Sequence, residues 1–511
     1  MYIGAMAAKF PDKPAVMGGG ESITYAELDA RSNQLAHLFR AWGLRSGDGI
    51  AVLIGNEPRF YEFYWAAMRS GLYFTPINTH LSPGEMAYIA DNCEAKVLVV
   101  SAALRDAAQQ IAGQLPHVQR RVVVNDRLAG FASYPQVVGD VPAAPLAFVR
   151  EGMAMLYSSG TTGKPKGVRV PLPDTPPGVG IPAGIRLAVL FGYRPEDRYL
   201  CTGPLYHAAP LGFSTTNHRI GGTVVLMSRF DAEESLRLIE RERVTTSQWV
   251  PTHFVRLLHL PDEVRQRYNL SSHRMAIHAA APCPVPVKQQ MIAWWGNIIV
   301  EYYAGTEGGG TLVRADEWLA RPGTVGRHWG GGKVWILDED GQEAPAGQVG
   351  LVYFEGGENA RERFEYYKDP QKTAQTYRGR LFTLGDIGYL DGDGYLFLTD
   401  RQSHMIISGG VNIYPQEIEN VLVMHPAVAD VAVIGVPDAE MGEAVKAVAQ
   451  LREGIAPDEA LAQDIIEFSR ARIAHFKCPR SVDFVDQLPR TAAGKLLKRE
   501  LKQKYWGPTA P

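Results

Sequence analysis

Through its first half the chain alternates short β-branched runs with stretches of helical periodicity, and that alternation favours an α/β fold with largely parallel sheets. The strand-like runs are Ile50–Ile54, Lys96–Val100, Arg121–Val124 and Gly222–Met227. Thr24-Tyr-Ala-Glu27 reads as a capping box: Thr24 accepts from the backbone of Glu27, and Glu27 reaches back. Leu28, Leu35, Leu38 and Phe39 then share one helical face. From about Gly323 to Asp400 the pattern changes to short strands joined by Asp-Gly turns, as in KVWILDEDG and GYLDGDGYLFL. After Arg401 a smaller α/β unit follows, with Val428–Val436 as a strand and Asp464–Phe476 as an amphipathic helix. Segments 171–182 (PLPDTPPGVGIP) and 282–286 (PCPVP) read as irregular punctuation. The reading is a large N-terminal domain over 1–400, of mixed parallel sheets flanked by helices plus a β-rich subdomain. A hinge follows at 401–403, and a small mobile α/β domain over 404–511.

Composition narrows the function classes. At 511 residues the chain is too long for one ordinary core, and 46% apolar with 21% charged residues is a globular balance. A net charge of −3 gives no reason to expect a nucleic-acid or anionic-membrane partner. The four cysteines (Cys93, Cys201, Cys283, Cys478) stand far apart with no CxxC, which argues against a disulfide framework or a zinc site. No secretory signal and no apolar run of membrane-spanning length is present, so the expectation is a soluble, cytoplasmic protein without stable membrane insertion. Oligomeric state is left open, a homodimer included.

The most informative stretch is Tyr157-Ser-Ser-Gly-Thr-Thr-Gly-Lys-Pro-Lys-Gly-Val168, directly after the apolar Met153–Leu156. Glycines permit close backbone approach, hydroxyls and N–H groups donate, and lysines neutralise charge, a combination suited to polyphosphate. It is not a Walker A loop, because Pro165 stands where glycine would be needed after Gly160. Composition alone leaves a polar surface turn nearly as good a reading.

The string itself resembles the phosphate loop of the adenylate-forming superfamily: acyl-CoA synthetases, luciferases and peptide-synthetase adenylation domains. Further matches follow in the family's order. Ala279-Ala-Ala-Pro282 is similar to its Gly-Ala-Ala-Pro, and Tyr303-Ala-Gly-Thr-Glu307 to its Tyr-Gly-x-Thr-Glu. Thr383-Leu-Gly-Asp386 resembles its Thr-Gly-Asp, with Thr399-Asp-Arg401 behind it. Ser408-Gly-Gly-Val-Asn-Ile-Tyr-Pro415 and Pro489-Arg-Thr-Ala-Ala-Gly-Lys495 resemble the two C-terminal motifs. The resemblance runs from Thr24 to Leu501.

It implies an ATP-dependent acyl-CoA synthetase, an acid–thiol ligase of fatty-acid and lipid metabolism. A carboxylate attacks the α-phosphate of ATP, releasing pyrophosphate, and the thiol of coenzyme A then displaces AMP. The alternative acceptor is a carrier-protein pantetheine. On the resemblance, Ser158, Ser159, Gly160, Thr161, Thr162, Gly163 and Lys166 hold the phosphates, and Glu307, with Thr162, binds Mg²⁺. Ala280, Ala281, Tyr302, Tyr303, Ala304 and Thr306 contact the nucleotide, with Tyr303 stacked on adenine. Asp386 accepts from the ribose hydroxyls, assisted by Arg401. Lys495 is the catalytic lysine bridging carboxylate and α-phosphate, while Ser408, Gly409, Gly410 and Lys477 contact coenzyme A, and Ser403 is the hinge. His207 positions the acyl carboxyl.

The acyl pocket is expected around His207, Phe213, Trp249, His278, Gly305 and Gly308. Gly305, Gly308, Gly309 and Gly310 carry no side chains to close its floor, which permits a long or wide acid, while Trp249 and Phe213 could as easily shorten it. The continuation Arg169-Val-Pro-Leu-Pro-Asp174 resembles that of synthetases for long fatty or bulky polycyclic acids. No lysine or arginine is placed for a second carboxylate, which disfavours a dicarboxylate. Departures from the family pattern include Tyr302 and Ala304 around Tyr303, Leu384 within the ribose motif, and Gln402, Ser403 and His404 after Arg401.

Overall fold

Six parallel strands, Pro14–Gly18, Thr223–Leu226, Arg198–Cys201, Thr246–Trp249, Met275–His278 and Ile299–Gly305, form the centre of a nine-stranded sheet. Antiparallel edges close it: Glu21–Thr24 on one side, Gly308–Arg314 and Arg327–His328 on the other. This computed structural model describes residues 2–147, 150–158, 165–179, 183–356, 363–401, 404–409, 411–490 and 496–506.

A second, fully parallel sheet of six strands runs Ala132–Ser133, Arg120–Val124, Ala95–Ser101, Gly49–Leu53, Tyr73–Pro76 and Met153–Ala154. Helices Tyr25–Ala41, Phe60–Arg69 and Ala208–Ile220 contribute Leu28, Leu35, Phe63, Leu211 and Phe213 to one core that also takes residues from both sheets. Strand alternation divides the residues between layers. Val97 and Val99 enter this shared core while Leu98 and Val100 face the other side of the six-stranded sheet. Likewise Tyr199 and Cys201 face the shared core, and Leu200 the far side of the nine-stranded sheet.

The β-rich stretch forms two smaller antiparallel sheets. One joins Leu156–Ser158, Lys166–Arg169 and Glu365–Tyr366, and the other carries Val334–Leu337, Gly350–Glu355, Leu381–Leu390, Tyr377–Arg378 and Leu396–Arg401. Beyond them Val411–Ile413, Ile406–Ser408, Gly442–Leu451, Val428–Asp438 and Ser481–Val485 make a sheet with its own apolar core around Ile406, Ile418, Val433 and Ala447.

The capping box at Thr24 is formed, with both reciprocal hydrogen bonds present. Two expectations are corrected. The helix placed at Asp464–Phe476 is Glu459–Arg470, because Asp458 caps it by accepting from the Leu461 N–H, and His475–Lys477 is a separate 3₁₀ turn. The punctuation at 282–286 already contains the start of a helix, Val285–Trp295, whose first turn accepts Pro286 because the missing N–H has no partner to lose there. Among the described residues no helix is long and apolar enough to cross a membrane.

Candidate active site

The strands Met275–His278 and Ile299–Gly305 are parallel neighbours, so the loop beginning at Ala279 and the turn at Thr306-Glu307 lie at the same sheet end. In that loop Ala280 holds φ +79°, a left-handed backbone that a non-glycine residue adopts at a cost of order 1 kcal/mol or more. Gly305 pairs with Gly308, leaving Thr306 and Glu307 as the two turn residues. Glu307 Oε1 accepts from the Tyr366 hydroxyl at 2.9 Å, and the Lys166 ammonium lies 5.7 Å over the same tyrosine ring. Burial, then the neighbouring Lys372, lower the Lys166 pKa against the opposing pull of Asp369 and Glu307. Ser158 pairs directly with Lys166 across the hairpin, so these two residues mark the ends of the predicted phosphate loop. Ser159, Gly160, Thr161, Thr162 and Gly163 lie outside the described residues.

On the same strand, the Tyr303 hydroxyl donates to Asp386 Oδ2 at 2.5 Å. Asp386 is 6% exposed and stands opposite Arg401 in the antiparallel register. Leu384, the departure within that motif, fits because Gly305 has no Cβ: one built there would meet the Leu384 side chain at 2.5 Å. Tyr303, Asp386 and Lys166, from three strands, and Glu307, from a turn, are thus brought to one region, though linear sequence separates them by up to 220 positions. Ala281, Ala304 and Thr306 sit in the adjoining loop and strand end, partly exposed.

The acyl candidates separate. His207 begins helix Ala208–Ile220, with its ring 4.6 Å from Tyr206, and Phe213 lies on that helix, 2% exposed. Phe213 packs against Tyr302 at 5.7 Å and Phe191 at 5.1 Å. Trp249 and His278, placed in the pocket by sequence, face the other way. They sit side by side in register and join Phe254 and Trp295 beneath the opposite face of the nine-stranded sheet. Strand parity is the reason: Ile277 and Tyr302 face the shared core, so His278 and Glu301 cannot. His278 is fully buried, its Nε2 3.7 Å from Glu301, and burial drives its pKa well below the ordinary value. Glu301 in turn takes the Lys288 ammonium at 2.5 Å.

The open glycine floor is also corrected. Gly309 has Phe354 at 2.6 Å from where its Cβ would stand, and Gly310 has the Trp329 indole well inside contact distance. Only Gly308 meets nothing closer than 3.7 Å. Trp329 and Tyr366 are the residues the sequence reading missed. Trp329 carried one signal, an aromatic set between Gly326 and Gly330; Tyr366 carried none.

In the C-terminal sheet, Ser408 and Gly409 close the strand Ile406–Ser408, and Gly409 (φ +57°) donates its N–H to the Met441 carbonyl at 2.8 Å. Lys477 is held by both oxygens of Glu417 at 2.7 Å. Ser403, Gly410 and Lys495 lie outside the described residues. Residues flanking 491–495 are anchored: Arg490 grips Asp430 through two bonds of 2.7 Å, and Lys498 pairs with the buried Glu419 at 2.7 Å.

Two family profiles match: AMP-binding enzyme over residues 4–362 and AMP-binding enzyme C-terminal domain over 417–495. The chain belongs to the AMP-binding enzymes. It is similar to a feruloyl-CoA synthase from Amycolatopsis sp., 33% identical over 97% of this chain and 96% of the relative. It is similar also to a fatty acid–acyl-carrier-protein ligase, ScoC, from Streptomyces coeruleorubidus, 31% identical over 98% and 95%. Among solved structures, ATP-bound MatB from Rhodopseudomonas palustris superposes with a TM-score of 0.83 at 29% identity, over 99% of both chains.

As an AMP-binding enzyme the protein is an AMP-forming acid–thiol ligase that uses ATP. The geometry suits that chemistry. A half-buried carboxylate, Glu307, and an ammonium, Lys166, meet one tyrosine, the first at its hydroxyl and the second over its ring. Asp386 supplies an acceptor-only group 2.5 Å from the tyrosine hydroxyl. Among the described residues no three His, Cys, Asp or Glu side chains form a metal cage. The oxygen donor of Glu307 fits Mg²⁺, a cation that binds through one or two carboxylates plus substrate phosphates and water.

Proposed function

We propose that the enzyme activates a hydrophobic carboxylic acid as its acyl adenylate and passes the acyl group to coenzyme A. The observation that carries this reading is the Glu307–Tyr366–Lys166 cluster at the end of the phosphate hairpin, with the Tyr303–Asp386 pair on the strand that leads to Glu307. In the first step a carboxylate oxygen bonds to the α-phosphorus and the bond to pyrophosphate breaks. In the second the thiol sulfur bonds to the acyl carbon, the bond to AMP breaks, and the thiol proton passes to solvent.

Two anions must meet in the first step, so its barrier is electrostatic. Lys166 and Ser158, with the loop between them, hold the terminal phosphates; Asp386 fixes the ribose with Arg401; Tyr303 stacks on the base. His207 orients the carboxyl at the head of its helix, without an acid–base task. Mg²⁺ held at Glu307 supplies charge neutralisation on the phosphates when bound. Lys495 bridges carboxylate and α-phosphate, delivered by a C-terminal domain over 404–511 that pivots at 401–403. Ser408, Gly409 and Gly410 line the thiol path after that pivot.

A second acceptor, the pantetheine of a carrier protein, is favoured by one observation. Lys477, the candidate contact for the coenzyme's nucleotide, is neutralised by Glu417 on both carboxylate oxygens. The relatives' names likewise include both kinds of acceptor.

The test is pyrophosphate release with ATP, Mg²⁺ and a panel of carboxylic acids, with and without coenzyme A. Acid-dependent release together with thioester formation is the expected result. Adenylate without turnover of the coenzyme transfers the assignment to a carrier-protein acceptor.

A further inference from the structure

We propose that the acid is aromatic, a single ring or a ring on a short chain, and that Trp329 selects it. This rests on the adenylating function above and names its substrate class.

Gly310 lies three residues beyond Glu307, on the strand that leaves the nucleotide turn, and its missing side chain is replaced by the Trp329 indole. The backbone that carries the indole is held at Gly310. The Trp329 backbone N–H donates to the Gly310 carbonyl at 3.2 Å, and the preceding strand Arg327–His328 pairs antiparallel with Thr311 and Leu312. Gly326, at φ +93°, permits that approach, since a Cβ there would collide with the Leu312 carbonyl. The Trp329 and Tyr302 rings then lie 5.9 Å apart with planes 27° from parallel. Tyr302 continues to Phe213 at 5.7 Å and Phe191 at 6.1 Å.

The result is one continuous aromatic wall running from the residue beside Tyr303 to the helix that begins at His207. An acyl group whose carboxylate is held near His207 meets this wall first. Flat rings gain from it twice, by burial and by offset or edge-on ring contacts. A straight chain has no comparable geometric gain, and the track along Gly310 that it would need is filled. Trp329 is therefore a specificity-determining residue: it rewards a ring and shortens the pocket.

Pyrophosphate release in the absence of coenzyme A, measured with benzoate, cinnamate, octanoate, palmitate and cholate, reads the acid alone. The wild-type enzyme is expected to use benzoate or cinnamate with kcat/KM at least about tenfold above octanoate, palmitate and cholate. Trp329→Ala should raise octanoate or palmitate at least tenfold and lower the best aromatic acid, and Trp329→Phe should keep the aromatic preference. The KM for ATP in each variant reports the integrity of the nucleotide half. Palmitate or cholate as the best wild-type substrate, or an acid ranking unmoved in Trp329→Ala, overturns the proposal while leaving the ligase reading intact. Silence from every acid in wild type and variants alike overturns the adenylating reading and this assignment with it.

Discussion

Tyr302 and Tyr303 are neighbours on one strand, yet they belong to halves of the site built in opposite ways. Tyr303 turns to the polar half, where its hydroxyl meets Asp386 and where Glu307, Tyr366 and Lys166 stand close by. Tyr302 turns to the aromatic half, with Phe213, Phe191 and Trp329. The polar half depends on directed groups, and a single atom change there removes a specific interaction. The aromatic half depends on shape and contact area, so substitutions there redistribute preference among acids. Binding energy that is directional is lost in large steps, and energy from area is lost gradually.

The sharpest break of that comparison is Lys495→Ala. It should reduce acyl-AMP formation by about two to three orders of magnitude, as loss of a preorganised cation facing developing charge does, while thioester formation from supplied acyl-AMP survives. Separate assays of the two half-reactions check it, and an equal loss in both contradicts the two-conformation assignment. Glu307→Gln should lower kcat about a hundredfold and weaken the dependence on Mg²⁺, seen in a titration of the metal at saturating ATP. Asp386→Ala should raise the KM for ATP roughly tenfold with little effect on the KM for the acid, since it loses charge-assisted bonds to one substrate only. Tyr366→Phe, which removes one hydrogen bond to Glu307, should cost about 1 kcal/mol, a fall of roughly fivefold in kcat/KM for ATP. By contrast Trp249→Phe, on the far face of the sheet, should leave the acid ranking where it was, because its effect is confined to packing.

Acidification tests the scaffold behind both halves. Burial lowers the pKa of His218 to about 4, and its ring accepts from the Trp65 indole N–H at 3.2 Å. Its folded value lies below the unfolded one, so the neutral ring contributes stability fully above about pH 6.5, and that contribution is lost as pH falls toward 4. The melting temperature should therefore drop between pH 7 and pH 4.5, and the His218 contribution should be about 2 kcal/mol. A melting temperature that stays level over this range contradicts it.

Much of this was legible in the residues. The capping box at Thr24, the alternation of strands and helices and the ordered motifs each depend on local spacing, which survives without tertiary information. The acyl side was less legible, for two physical reasons. Trp249 and His278 are expected in the pocket from the sequence, but a strand's side chains alternate, and one residue of parity puts them behind the sheet. Gly309 and Gly310 were read as open space, yet a close-packed interior fills what a glycine vacates, here with Phe354 and Trp329.

By itself, then, the sequence determined the α/β class and the family, because each is written in short-range spacing and residue type. Tertiary structure alone decided which face of each strand looks into the site and which distant aromatic closes the glycine track. Those depend on register and on packing between segments far apart in the chain, and no local pattern encodes either.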